Sequence, residues 1–73
     1  MAKSLNGRQM RTTADTLFAL KPARALVYKA VTQIENGKDS RATIAEVKRE
    51  LRKAGALDAA ASRFLDLLAV PPR

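Results

Sequence analysis

The sequence predicts an all-α protein: a compact three-helix bundle, helix-turn-helix-like, behind a flexible basic N-terminal arm. Three observations lead there. Apolar residues recur every three or four positions through three segments, Pro and Gly stand where those segments begin and end, and 73 residues without a cysteine allow one small unstapled core. The expected division is a flexible arm over 1–12 and a single helical domain over 13–73. Its helices are expected at about 22–36, 44–54 and 59–70, with a marginal helix over 13–20.

Residues 1–12 hold few large apolar groups and contain Asn6-Gly7, a turn pair, so they are expected to be flexible. From Thr13 to Leu20 about two helical turns can form, although Pro22 disfavours helical geometry at Lys21. Leu17, Phe18 and Leu20 then either cap the bundle or stand exposed as a contact surface.

The clearest helix follows. Ala23, Leu26, Val27, Ala30, Val31 and Ile34 make one buried stripe between Pro22, suited to a first helical position, and Gly37, suited to a left-handed stop. Thr43-Ile44-Ala45-Glu46 reads as a capping box opening the next helix, whose inward face is Ile44, Val47, Leu51 and Ala54 and whose stop is Gly55. Asp58 suits the N-cap of the last helix, with Ala61, Phe64, Leu65 and Leu68 inward and Pro71-Pro72 at its end. Leu67 and Val70 widen that apolar face, which leaves a homodimer open beside the expected monomer.

Composition narrows the function. With no His and no Cys, imidazole and thiol chemistry are absent, Asp39, Asp58 and Asp66 show no paired-carboxylate spacing, and a core this small leaves no room for a substrate cleft. A non-enzymatic protein without metal or cofactor is expected. Neither Asn6-Gly7 nor Lys53-Ala54-Gly55 has the glycine run of a phosphate loop. No apolar run approaches a membrane span and no apolar stretch follows Lys3 and Arg8 in the manner of a secretory signal, so no membrane partner is expected.

Fourteen Lys and Arg against seven Asp and Glu give a net charge of +7. An isoelectric point near 10.6 points to an anionic partner, and a mean hydropathy of -0.23 is that of a globular chain. The excess charge sits in the N-terminal region and in 38–55, while 56–73 is neutral. Lys48, Arg49, Arg52 and Lys53 share roughly a third of a helix circumference, with like charges at i,i+4 that weaken an isolated helix. Two readings of this face stay open: an ordinary solvated surface, or a docking surface for phosphates or carboxylates, extended by Arg8, Arg11, Lys21 and Arg24 if the arm folds nearby.

The order helix, Gly turn, helix over 43–70 invites a helix-turn-helix reading, with a DNA-binding repressor or architectural factor as the function. The last helix is a poor reader, because its outer positions carry Ala59, Ala60, Ser62, Arg63 and Asp66. Phe18, Tyr28 and Phe64 are too few and too scattered to stack single-stranded bases.

The basic start, Met1-Ala2-Lys3-Ser4-Leu5-Asn6-Gly7-Arg8-Gln9-Met10-Arg11, the length and the helical remainder together resemble the small transcription regulators of lytic Xanthomonas phages. The resemblance covers the whole chain and carries no diagnostic motif. It implies a protein of the host bacterial cytoplasm that binds host RNA polymerase near the N-terminus of the β′ subunit, with β as a further contact; nonspecific affinity for nucleic acid is expected separately, from the basic charge. Such binding inhibits sigma-dependent initiation and permits terminator read-through. The residues assigned to the polymerase, from the sequence itself, are Leu17, Phe18 and Leu20 as an apolar anchor with Arg8, Arg11, Lys21 and Arg24 around them. The alternative surface is Lys48, Arg49, Arg52 and Lys53.

Overall fold

The computed structural model describes residues 6–69, which form four helices in the order α1 (Gly7–Leu17), α2 (Lys21–Glu35), α3 (Arg41–Lys53) and α4 (Ala59–Ala69). The architecture is an all-α compact four-helix bundle, which corrects the expected three-helix bundle. The additional element is α1. It replaces the later half of the expected flexible arm and the marginal 13–20 helix; residues 1–5 of that arm lie outside the described residues, as do Val70, Pro71 and Pro72.

Local chemistry explains why α1 begins where it does. The Asn6 side chain accepts a hydrogen bond from the Gln9 N–H at 2.8 Å, and the Gln9 side chain accepts from the Asn6 N–H at 3.1 Å. This reciprocal pair satisfies two backbone donors that a helix start leaves bare. Met10 and Ala14 then bury one face of α1, and Phe18, just past its end, continues the same row into the core. Spacing of four residues keeps that row on one side.

Helix α2 is the hub. Ala23, Val27, Ala30 and Val31 have no measurable exposure, because α1, α3 and α4 all pack on this one helix. The alanines keep its neighbours close, and the β-branched residues fill the space between. Helix α2 starts at Lys21, one residue before Pro22, with Leu20 as an extended N-cap. At its other end Gly37 takes φ +71°, the Lys38 N–H donates to Gln33 O at 2.7 Å and the Gly37 N–H to Ile34 O at 3.0 Å. That pair of bonds is a Schellman stop, and Gly55 (φ +69°) closes α3 in the same way, with Ala56 N–H donating to Leu51 O and Gly55 N–H to Arg52 O.

The start of α3 differs from the expected capping box. The helix begins at Arg41 rather than 44, and Thr43 lies within its first turn, buried against the core. Neither Thr43 nor Ser40 caps it through a side chain; Asp39 Oδ1 accepts from the Arg41 N–H at 3.0 Å instead. An aspartate just outside the helix offers its carboxylate to the exposed first N–H, so the turn closes before Thr43 is reached. At α4, Asp58 Oδ1 accepts from the Ala61 N–H at 2.8 Å, an N-cap bond to the third helical residue.

The core closes with Phe18 and Phe64, whose ring centroids lie 6.0 Å apart at 47°. Leu51 and Leu65, 1% and 0% exposed, belong to the same cluster. Among the described residues, no helix is long and apolar enough to cross a membrane.

Candidate basic interface

Helices α1 and α2 run antiparallel, and a polar seam on their outer side fixes their register. The Arg11 guanidinium grips Glu35 through two hydrogen bonds, at 2.9 and 3.2 Å, and also donates to Thr32 Oγ1 at 3.1 Å. Farther along the seam, the Tyr28 hydroxyl donates to the Asp15 carboxylate. These bonds hold the Glu35 carboxyl below its ordinary range, chiefly through the Arg11 hydrogen bond, and raise the Tyr28 hydroxyl, chiefly through the Asp15 hydrogen bond. Gly7 leaves room for the carboxylate: a Cβ there would collide with Glu35 Oε2.

This seam changes the reading of the first predicted contact set. Phe18 is 1% exposed and packed on Phe64, so it belongs to the core and not to an apolar anchor on the surface. Arg11 is occupied by Glu35 and Thr32, a brace between helices. Because the hairpin is antiparallel, Arg8 and Arg11 lie beside the C-terminal end of α2, whereas Leu17, Leu20, Lys21 and Arg24 gather at the connection between the helices. About 14 Å along α1 separates residue 8 from residue 17, so the seven residues do not form one site. What remains together is a corner in which Leu17 and Leu20 are half-buried against the core, Arg24 is half-buried and Lys21 is exposed.

The second predicted set keeps its four residues on one face of α3. With Ile44, Val47 and Leu51 turned inward, Lys48, Arg49, Arg52 and Lys53, joined by Arg41, occupy an outer arc of about 140° at 100° per residue. Glu46 and Glu50 fall on the edge beside that arc. Lys48 reaches Asp66 of α4 at 2.7 Å, Lys53 reaches Glu50 at 3.5 Å, and Arg41 makes a forked pair with Asp39. That fork lowers Asp39 to about 2, through the Arg41 side chain first and its backbone N–H second.

Arg49 and Arg52 have no carboxylate within salt-bridge distance among the described residues, and both are exposed. They are the uncommitted centre of a basic helix face. The only large apolar side chains well exposed among the described residues are Tyr28, at 36%, and Leu67, at 61%. Neither lies on α3, whose outer surface between the cations is Ala42 and Ala45.

Sequence reasoning missed two participants. Glu35, the partner of Arg11, sits 24 residues away from it and carries no local signal. Asn6 with Gln9 did carry one, the cap spacing of a helix start, hidden under the reading of Asn6-Gly7 as a turn. Among the described residues no group of acidic or other ligating side chains is arranged to hold a metal ion. In comparisons with known proteins, the chain matches no family model, no curated protein and no solved structure.

Proposed function

We propose that this is a non-enzymatic transcription regulator that docks on host RNA polymerase at the N-terminal region of β′, inhibits sigma-dependent initiation and permits terminator read-through. The reading rests on the resemblance of the chain to small phage regulators, and the host bacterial cytoplasm is the compartment it entails. The observation that supports it best is the α1–α2 corner. Leu17 and Leu20, half-buried, sit beside Lys21 and Arg24, a mixture of apolar area for residence time and positive charge for encounter with an acidic surface.

The test is binding of purified protein to purified bacterial RNA polymerase by biolayer interferometry, with Lys21→Glu/Arg24→Glu as the variant. Both residues lie at the surface end of α2, so the fold is expected to survive; circular dichroism checks it. Loss of binding by at least tenfold in a folded variant supports the corner. Wild-type protein that fails to bind polymerase at all sinks the proposal.

A second reading, a repressor of helix-turn-helix type, is favoured by the succession of α3, a five-residue connection and α4. Its recognition helix would expose Ala59, Ala60, Arg63 and Asp66, one cation against one carboxylate, a weak set for reading bases.

A further inference from the structure

We infer that the outer face of α3 is a docking surface for the phosphate backbone of double-stranded DNA, independent of any contact with polymerase. What the face lacks points to its partner. A protein partner held for long needs a buried apolar anchor, and α3 exposes no apolar side chain larger than alanine. Its outer arc offers cations and little else: Arg49 and Arg52 uncommitted, with Arg41, Lys48 and Lys53 flanking them.

Those flanking cations are each held by a single carboxylate, from exposed Asp39 and Asp66 and half-buried Glu50, and phosphates can replace such surface pairs at little cost. Helix α3 also carries two like-charged i,i+4 pairs, Lys48 with Arg52 and Arg49 with Lys53, whose repulsion Asp66 and Glu50 offset at the lysines alone, leaving Arg49 and Arg52 without a carboxylate. A row of phosphates relieves that repulsion.

Single strands fit poorly, because binding them draws on exposed aromatic rings. Phe18 and Phe64 are in the core, and Tyr28 is on α2 with its hydroxyl tied to Asp15. Duplex RNA fits poorly too, since its major groove is too narrow for a helix, whereas the groove of B-form DNA, about 12 Å wide, admits one. The small side chains of Ala42 and Ala45 let the backbone of α3 approach the groove while the arginines reach the phosphates on its rim. Nonspecific contact is expected, with affinity set by salt rather than by sequence.

The experiment is fluorescence anisotropy of the full-length protein with two labelled 25-base-pair DNA duplexes of unrelated sequence, and with one of the corresponding single strands, from 50 to 200 mM salt. Three results are expected: equal affinity for both duplexes, weaker binding of the single strand, and a linear fall of log K with log salt. Arg49→Ala/Arg52→Ala removes two phosphate contacts and reduces the slope by about 1.8. Lys29→Ala/Lys38→Ala removes the same charge from surface positions outside α3 and is expected to keep the wild-type slope. Melting curves confirm that both double variants are folded.

The inference is overturned by a wild-type protein that binds neither duplex at 50 mM salt, by equal losses in the two double variants, or by tighter binding of the single strand. Retention of polymerase by Arg49→Ala/Arg52→Ala alongside lost DNA binding separates this surface from the α1–α2 corner. Loss of polymerase binding in that variant, with no DNA bound by the wild type, assigns α3 to a protein partner and overturns the inference.

Discussion

Replacing Phe18 with Ala separates a core residue from a surface anchor. Phe18 is 1% exposed, joins α1 to α2 and stacks at an angle on Phe64 of α4 with centroids 6.0 Å apart. Removing a fully buried phenyl ring costs about 3–5 kcal/mol, the transfer of the ring plus the cavity it leaves. A domain of this size has a total stability of about 4–11 kcal/mol at 0.05–0.15 kcal/mol per residue. Phe18→Ala is therefore expected to remove a large part of the folding free energy. In thermal unfolding followed at 222 nm the midpoint should fall by at least about 12 °C, taking about 4 °C per kcal/mol as the lower scale for a small domain. Urea titration gives the same quantity isothermally. Should Phe18→Ala not fold at all, the milder cycle of Phe18→Leu, Phe64→Leu and the double variant still reads the ring pair, with a coupling of about 0.5–1.5 kcal/mol. A loss below 1 kcal/mol for Phe18→Ala, with a coupling near zero, would refute the placement of this ring in the core.

Further expectations test the caps, the stops and the acid dependence. Asp58→Ala should cost about 1 kcal/mol in urea unfolding by removing the bond to the Ala61 N–H, and an unchanged midpoint counts against that cap. Gly37→Ala places a Cβ at φ +71° and should cost about 1–2 kcal/mol although the space around it is open; Gly37→Asn should lose less, and calorimetry showing no difference from wild type rules out the left-handed stop. Asp39 is lowered to about 2 in the folded protein, so its contribution is present above its unfolded value near 4 and disappears as pH falls through about 2. The melting temperature of Asp39→Asn should accordingly lie below wild type at pH 6 and converge with it near pH 2, whereas Glu46→Gln should leave the start of α3 undisturbed; parallel curves for Asp39→Asn exclude this role. Asn6→Ala should speed amide exchange at the first turn of α1, and exchange equal to wild type argues against the reciprocal cap with Gln9.

Legibility followed the range of the interactions. Gly37, Gly55 and Asp58 mark helix ends through bonds to residues within five positions, so their meaning is contained in short stretches of chain. Asn6 and Gln9 are equally local, and α1 was within reach of the same reasoning; the turn propensity of Asn6-Gly7 competed with it, and burial of Met10, Ala14 and Phe18 against α2 decides for the helix. The Thr43-Glu46 pattern shows the converse, a correct local signature displaced by Asp39 two positions upstream of the helix.

The candidate site divides along the same line. The basic arc of α3 follows from helical periodicity, because four cations within six residues of one helix share a side whatever the helix packs against. The other contact set required knowing how two helices meet. Their antiparallel pairing carries Arg8 and Arg11 to one end and Lys21 and Arg24 to the other, delivers Arg11 to Glu35 and turns Phe18 inward. Helical character, the helix stops and the positive charge are legible in the chain alone, since they arise from backbone conformation and composition. Which side chains stay uncommitted depends on packing, because the burial of Phe18 and the pairing of Arg11 with Glu35 and of Lys48 with Asp66 rest on contacts between distant segments.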